Sequence, residues 1–176
     1  MHKRNERAKL DSLLGWCEVT SCRRQALLQY FGEPLSEPCG NCDTCQNSPI
    51  TWDATEAAQK LLSCVYRSGQ RFGAGYVIDI LRGKDDERIQ QNGHETISTF
   101  GIGKDLSVAQ WRSVIRQLIV RGLLLSDAEH FGALRLTEKS RDVLKGHAQL
   151  LLREENQAAA PTTKTNSRSR FAQWGL

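Results

Sequence analysis

The sequence has little that would place it in a membrane or a secretory pathway. Its apolar residues never form a run near the roughly 18 residues that a membrane-spanning helix needs. The basic start MHKRNERAKLDSLL is not followed by an apolar segment, so it does not match a secretory signal. We therefore expect a cytoplasmic protein with no membrane partner, in which the six cysteines stay reduced.

Catalytic and nucleotide-binding motifs are also missing from the sequence. The run Gly101-Ile102-Gly103-Lys104 ends in Asp105, where a phosphate-binding P-loop requires serine or threonine. The four histidines lack the paired spacing of a metalloprotease, and there is no nucleophile elbow. We predict no catalytic residue in this chain.

Charge and composition divide the 176 residues into three parts. With 24 Lys and Arg against 20 Asp and Glu, the net charge is +4, which permits a nucleic-acid partner without requiring one. A break at Asn47-Ser48-Pro49 separates a first module, 1–50, from a second, 51–150. Residues 151–176 are rich in Ala, Thr and Ser and mildly basic, which predicts a flexible tail.

Helical periodicity dominates both modules, so the predicted fold class is mainly α. The first module is predicted to form helices over 3–16 and 22–31. In the second module, helices are predicted to begin near Asp53 and Ser107, each followed three residues later by the partner of a capping box, and a short helix is predicted over 75–81.

A β-hairpin is predicted after the helix that begins at Ser107. The apolar runs 123–125 and 133–136 flank a polar segment, and Thr137 is then predicted to cap a last helix through Leu144. The order of helices followed by a hairpin is that of a winged helix-turn-helix, in which the hairpin is the wing.

Four cysteines have the spacing C-x16-C-x2-C-x2-C, formed by Cys22, Cys39, Cys42 and Cys45. Four thiolates that converge on one centre, with no open position, are typical of a structural zinc site. Two alternatives stay open: ordinary cysteines, and an iron–sulfur cluster, although the fourth cysteine of that pattern would fall on Pro49. The remaining cysteines, Cys17 and Cys64, are predicted to be small buried apolar residues.

The stretches CRRQALLQYFGE (22–33) and PCGNCDTC (38–45) resemble the zinc-binding subdomain of RecQ-family DNA helicases. The stretches QRFGAGY (70–76), FGIGKD (100–105) and IRQLI (115–119) are similar to the winged-helix subdomain that follows it, and the short hairpin is similar to the bacterial type. The resemblance implies a helical zinc-binding module followed by a winged helix-turn-helix domain with a short β-hairpin wing.

The resemblance also implies contacts with the DNA backbone at Arg82, Gly83 and Lys84. Lys104 and Ser107, at a helix N-terminus, are similar candidates because exposed amides, a capping serine and a lysine attract anions. Arg112 and Arg116 lie on the polar side of the same helix. The alternative is a solvated charged face in which acidic neighbours pair with these cations: Asp85, Asp86 and Glu87.

The wing tip and the arginines beside Cys22 each allow two interpretations. His130 and Phe131 could stack on a terminal base pair and separate strands, or Phe131 could pack onto the core. Arg23 and Arg24 could contact a phosphate or form salt bridges within the zinc module.

The predicted function is the DNA-binding C-terminal region of a RecQ-like, 3′-to-5′ ATP-dependent helicase in repair, recombination and replication. Zn²⁺ is the expected cofactor, whereas ATP and Mg²⁺ belong to motor domains that these residues do not contain. Expected partners are duplex or forked DNA and a single-strand-binding-protein tail, for a monomeric, nucleoid-associated protein. The alternatives are a stand-alone zinc and winged-helix regulator and a protein-interaction module.

Overall fold

Three helices form the module that carries the four clustered cysteines. The computed structural model describes residues 2–127 and 130–154. Helix α1 spans His2–Cys17, α2 spans Arg23–Tyr30 and α3 spans Asp43–Gln46. Few of the side chains that the structure describes in this module are buried, Val19, Cys22 and Thr44 among them. So small a core needs another source of folding free energy, and a bound metal is the usual one.

Five α-helices and two small antiparallel sheets form the second module. The helices are α4 Thr55–Arg67, α5 Ala74–Leu81, α6 Glu87–Gln91, α7 Val108–Val120 and α8 Ser140–Leu144, with a 3-10 turn at His94–Thr96. The strands are β1 Thr51–Asp53, β2 Leu124–Asp127, β3 Ala133–Leu136 and β4 Leu151–Arg153. Strands β2 and β3 form the wing, and β1 pairs with β4. The mainly-α winged-helix fold is confirmed.

The core lies between α4, α5, α7 and the base of the wing. Trp111, Leu61, Ile80 and Leu134 are at most 1% exposed. The indole Nε1 of Trp111 donates to the Gly103 carbonyl at 2.8 Å, so the one polar group of this large side chain is satisfied inside the core.

The helix boundaries confirm some predicted caps and correct others. At α7, Ser107 and Gln110 form the predicted capping box. At α4, the predicted box is wrong: the helix begins at Thr55, because Asp53 still belongs to β1 and its carboxylate accepts from the Thr55 amide at 2.9 Å. Helix α8 begins at Ser140, because the Thr137 hydroxyl donates to the Gly122 carbonyl at 2.7 Å instead of capping it.

Strand β4 is the main element that the sequence did not predict. It lies beyond residue 150, where the second module was predicted to end, and pairs Leu152 with Trp52. The Glu154 amide also donates to the Ile50 carbonyl at 3.0 Å. The start of the predicted flexible tail, 151–176, is therefore wrong, because Leu151–Arg153 form β4, and the rest of that tail from residue 155 onward lies outside the described residues. None of the helices in the described ranges is long and apolar enough to cross a membrane.

Helix α1 packs along α7 and joins the two modules. Gly15 is the point of close approach, since a Cβ there would lie 2.6 Å from Val120 Cγ2. Polar contacts follow at the end of α1, where Arg121 donates to Thr20 Oγ1 at 2.7 Å and Arg153 donates to the Cys17 carbonyl at 3.2 Å.

Candidate metal centre and nucleic-acid interface

The sulfurs of Cys22, Cys39, Cys42 and Cys45 converge, as the spacing predicted. All four lie within 4.8 Å of one another. The Cys42 sulfur lies 3.4 Å from that of Cys45 and 4.0 Å from that of Cys22. A tetrahedral zinc–thiolate site, with Zn–S bonds of about 2.3 Å, separates its sulfurs by about 3.8 Å. The cluster therefore fits one zinc ion, held by four sulfurs with no position left for substrate.

Short local elements bring these sulfurs together. Cys22 directly precedes α2, and Cys45 lies within α3. Gly40 turns the chain between Cys39 and Cys42 with φ of +69°, a conformation that favours glycine. The Cys39 amide donates to the Cys22 sulfur at 3.3 Å, which helps to hold a negatively charged ligand.

The surroundings of the cluster already favour thiolates at two positions. Contacts of the Cys42 sulfur, chiefly with the Thr44 hydroxyl 3.2 Å away and also with the Arg23 amide, lower the pKa of Cys42 to about 5. The Cys39 amide lowers the pKa of Cys22. The pKa of Cys45 is raised to about 12, chiefly because its thiol is hydrogen-bonded to Cys42. All four must be deprotonated to bind a metal, so metal binding releases protons.

Arg23 forms the salt bridge that was one of its two predicted roles. Its Nη2 donates to Asp43 Oδ2 at 2.7 Å, and its Nη1 donates to the carbonyls of Trp16 and Cys17 at 3.0 and 2.9 Å. The guanidinium also lies over the Trp16 ring, 5.5 Å from its centroid. Arg24 is exposed and has no ion pair with another described residue.

The two cysteines outside the cluster differ from each other. Cys64 is fully buried, as predicted, and burial raises the pKa of its thiol to about 11. The prediction that Cys17 is buried is wrong, since its side chain is exposed. Helix α1 ends at this residue, and the backbone carbonyl makes the contacts there.

The predicted DNA-binding residues at the end of α5 and before α7 meet in space. Gly83 and Gly101 have φ of +63° and +75°, and the Gly101 amide donates to the Ile80 carbonyl at 2.9 Å. A Cβ on Gly83 would lie 3.0 Å from Gly101 Cα and 3.1 Å from Lys104 Cε. The Lys104 side chain therefore lies close to both glycines, in the space that a side chain at residue 83 or 101 would need.

Three of the predicted cations are open to a ligand. Arg82, Lys104 and Arg112 are exposed, and none forms an ion pair with another described residue. Lys84 is different, because its Nζ lies 3.4 Å from Asp79 Oδ2 and 3.7 Å from Asp86 Oδ2. The bridge to Asp86 is one that the solvated-face alternative anticipated. We name the set of Arg82, Lys104, Ser107 and Arg112, which are exposed, and Gly83, which is half-buried, the α5–α7 surface.

Arg116 lies in the contact between α1 and α7 instead of on this surface. Its Nε donates to both carboxylate oxygens of Glu18 at 3.1 Å, and its side chain is only 16% exposed. The sequence placed Arg116 beside Arg112 because it could not show that α1 covers this part of α7.

The wing presents an aromatic ring near its tip. Phe131 is 79% exposed, so the alternative in which it packs onto the core is wrong. Its φ of +59° is rare for a residue other than glycine and costs about 1–2 kcal/mol. His130 Nδ1 lies 2.8 Å from Asp127 Oδ2, and Arg135 binds the same oxygen at 3.0 Å.

Comparison with protein families finds a match for each of the two parts of the chain. The RQC domain family matches residues 48–161, and the RecQ zinc-binding family matches residues 1–46. The chain belongs to the RQC family. The family that the sequence stretches resembled is thereby confirmed, and the zinc-binding match supports zinc over an iron–sulfur cluster at the four cysteines.

The RQC chain is similar to several bacterial proteins described as ATP-dependent DNA helicase RecQ. It is 47% identical to that of Pasteurella multocida over 148 residues, which are 84% of this chain and 23% of the relative. For Haemophilus influenzae the identity is 44%, over 84% of this chain and 24% of the relative. For Bacillus subtilis it is 34%, over 88% and 26%. The chain thus spans about a quarter of the length of the curated relatives it matches.

Sequence reasoning missed the residues that join the zinc-binding part of the RQC chain to the winged helix. Gly15, Glu18 and Arg121 contact partners far away in the chain, and no local pattern marks them. One signal was available for Arg23 and Asp43, because each directly follows a zinc-ligand cysteine and they carry opposite charges.

Proposed function

We propose that this RQC region binds the DNA backbone at duplex ends and forks for a RecQ-type, 3′-to-5′ ATP-dependent helicase in repair, recombination and replication. ATP and Mg²⁺ act in a motor that these residues do not include. The proposal covers a zinc module over 1–50 and a DNA-binding domain over 51–150. One structural Zn²⁺ held by the four cysteines stabilises the zinc module, which has few buried side chains of its own.

The observation that carries this proposal is the position of the Lys104 side chain close to Gly83 and Gly101. It places an exposed cation in the turn that leads into α7, whose first amides have no intrahelical partner. The capping box engages the backbone amides of Ser107 and Gln110, so the amides of Val108 and Ala109 stay available to a ligand. Helix amides and a nearby lysine form a site for a phosphate, and phosphate contacts position DNA without reading its sequence.

The side chains of α7 support backbone binding over sequence recognition. A helix that reads bases needs exposed polar side chains along the major groove. In α7, Gln110 is used in the capping box, Gln117 is buried and bonded to Arg153, and Arg116 is paired with Glu18. Arg112 is the charged side chain of this helix that stays exposed and unpaired within the described residues, which speaks against a sequence-specific regulator.

The test is a titration of forked DNA against the 176-residue chain at several salt concentrations. Lys104→Gln and Arg82→Gln should each weaken binding similarly on every sequence. Each should also reduce the slope of log affinity against log salt by about 0.9, as expected for one lost phosphate contact. Lys145→Gln is the matched control, because Lys145 is an exposed cation on the C-cap of α8, outside the α5–α7 surface.

Three results would count against the proposal. Equal losses in Lys145→Gln would mean that net charge alone drives binding. Strong preference for one sequence would favour the regulator. Retained binding of a single-strand-binding-protein tail peptide, together with no DNA binding at physiological salt, would favour the interaction module. Binding of such a tail, a monomeric state and a nucleoid location are further parts of the proposal.

A further inference from the structure

Three successive residues connect the cysteine cluster with α7: Trp16 and Cys17 at the end of α1, and Glu18 directly after it. The carbonyls of Trp16 and Cys17 accept from Arg23, and the next side chain, Glu18, accepts from Arg116 of α7. Polar contacts and neighbouring residues of the chain thus lead from Cys22 of the cluster through Arg23 and Glu18 to α7.

On the cluster side, Arg23 is fixed by its place in the chain and by Asp43. Arg23 follows Cys22, and Asp43 follows Cys42, so the ion pair between them joins the two segments that supply these ligands. The remaining N–H groups of Arg23 then satisfy carbonyls of the last turn of α1, which have no partner within the helix. When the segment 39–45 unfolds, Asp43 no longer fixes this guanidinium.

On the α7 side, the end of α1 is held at several points. Glu18 receives two donors from the Arg116 guanidinium, one turn of helix away from Arg112. Arg121, at the C-cap of α7, donates to Thr20 Oγ1 at 2.7 Å and to the Leu151 carbonyl at 2.6 Å. Gly15 lets the two helix backbones approach, since the site of its absent Cβ lies 3.3 Å from the Arg116 carbonyl oxygen.

We propose that Arg23 and Glu18 are positioning residues that couple zinc binding to the order and placement of α7. The element with two states is the segment 39–45, which is folded when its cysteines hold a metal and unfolded without one. Only the consequence for DNA rests on the proposed function. The coupling itself concerns two parts of one chain and is measured without DNA.

Hydrogen exchange on the 176-residue chain tests the coupling directly. In the wild type, removal of zinc with a chelator should raise the amide exchange rates of α7, above all around Arg116. In Glu18→Gln, which leaves every zinc ligand in place, α7 should exchange faster with zinc bound, and the effect of the chelator on α7 should shrink several-fold. Glu33→Gln is the matched control, since it removes an exposed acidic side chain from the same module. The same chelator effect in the wild type and Glu18→Gln would overturn the proposal.

Two further variants separate positioning from simple destabilisation. Exchanging the charges in the double variant Glu18→Arg, Arg116→Glu should restore most of the chelator effect on α7 that either single change removes. Arg23→Lys should keep one zinc per chain but lose the effect, because the single nitrogen of lysine lacks the planar fork that reaches Asp43 on one side and two carbonyls on the other. A double variant with no recovery, or an Arg23→Lys protein with the full wild-type effect, would contradict the assigned roles.

The coupling can also be measured through DNA binding, because zinc and DNA must affect each other's affinity equally. If zinc raises the affinity for forked DNA by some factor, forked DNA must raise the affinity for zinc by the same factor. We expect a factor of about 5 or more in the wild type and a factor near one in Glu18→Gln, with zinc affinity measured by competition against a coloured chelator. Absence of fork binding with an intact exchange response would refute the proposed function and leave the coupling standing. A missing exchange response would refute the coupling, whatever the DNA affinity.

Discussion

Gly15 of α1 faces Val120 of α7 so closely that a Cβ on residue 15 would lie 2.6 Å from Val120 Cγ2. Valine has little freedom at χ1 within a helix, and the Arg116 carbonyl oxygen closes the other side at 3.3 Å. This contact fixes how near the zinc module can come to the winged helix. The ion pair between Glu18 and Arg116 lies directly beside it.

Gly15→Ala should therefore destabilise the protein, although alanine is the better helix former. Overpacking costs about 1–3 kcal/mol and outweighs the roughly 1 kcal/mol gained from helix propensity. Gly75→Ala is the matched control, because Gly75 lies inside α5 with open space around its Cβ position and should gain about 0.4–1 kcal/mol. Urea unfolding at constant m-value measures both changes. Equal stabilisation by both variants would mean that α1 does not pack tightly on α7 in solution.

Zinc content should depend on Cys39 and be independent of Cys17. The purified wild type should bind one zinc ion per chain and show no visible absorbance, which also distinguishes it from an iron–sulfur protein. Cys39→Ser should lose the zinc ion, because the cluster then has three sulfurs and a weaker oxygen ligand. Cys17→Ser should keep it, since the Cys17 side chain is exposed and outside the cluster. Retained zinc in Cys39→Ser would contradict the four-sulfur site.

Stability should fall on mild acidification because of His94. Burial and the charge of Arg71 lower the pKa of this histidine, while Glu95 opposes them, and its Nδ1 lies 2.8 Å from the Tyr76 hydroxyl. Its unfolded pKa is about 6.5, so the unfolded chain binds more protons below that pH. The stability that the neutral His94 side chain contributes is therefore fully present above about pH 6.5. It is lost as the pH falls from there toward the lower pKa of His94 in the folded protein. Urea unfolding between pH 7 and pH 5.5 should show a smaller loss in His94→Gln, and equal losses would rule His94 out.

Trp111→Phe should weaken both the core and the α5–α7 surface. The substitution leaves the Gly103 carbonyl without its indole donor and opens a cavity, at a cost of about 1–3 kcal/mol. Since Gly103 directly precedes Lys104, the affinity for forked DNA should fall as well. Unfolding and DNA titration at one temperature measure the two effects. Unchanged DNA affinity in a destabilised protein would show that the loop keeps its shape without the indole bond.

Phe131→Ala should reduce the affinity for a duplex end and leave the zinc content unchanged. Loss of one stacked base is worth about 1–3 kcal/mol. Phe131→Gly should lose the same affinity but gain stability, because glycine adopts the φ of +59° at residue 131 without strain. A fluorescent base at the fork junction reports melting, and the same substitution should lower unwinding in a motor-containing protein. Unaltered melting and unwinding would remove the strand-separation role.

The sequence predicted the parts of the molecule whose causes are local. The cysteine spacing located the cluster, and the pair Ser107 and Gln110 located the start of α7. Both predictions rest on residues a few positions apart, or on a metal that demands a particular ligand set.

Contacts between distant residues were outside the reach of that reasoning. Arg116 and Arg112 look equivalent on a helical projection, and only the packing of α1 distinguishes them. Asp53 looks like a helix cap in the sequence. In the structure it pairs with Leu151 of β4, 98 residues further along the chain, and therefore belongs to β1. Cys17 looks like a core residue until α1 ends there with the side chain exposed.

The pairing of β1 with β4 brings the entrance and the exit of the winged helix side by side, with Ile50 and Glu154 joined by a backbone hydrogen bond of 3.0 Å. A unit whose two ends meet at one edge can be inserted between neighbours, or transplanted from one relative to another, without stretching the chain on either side. The same closure makes fraying cooperative, because opening the last strand also releases the first. The three residue pairs between β1 and β4 therefore hold the first and last strands of the winged helix together.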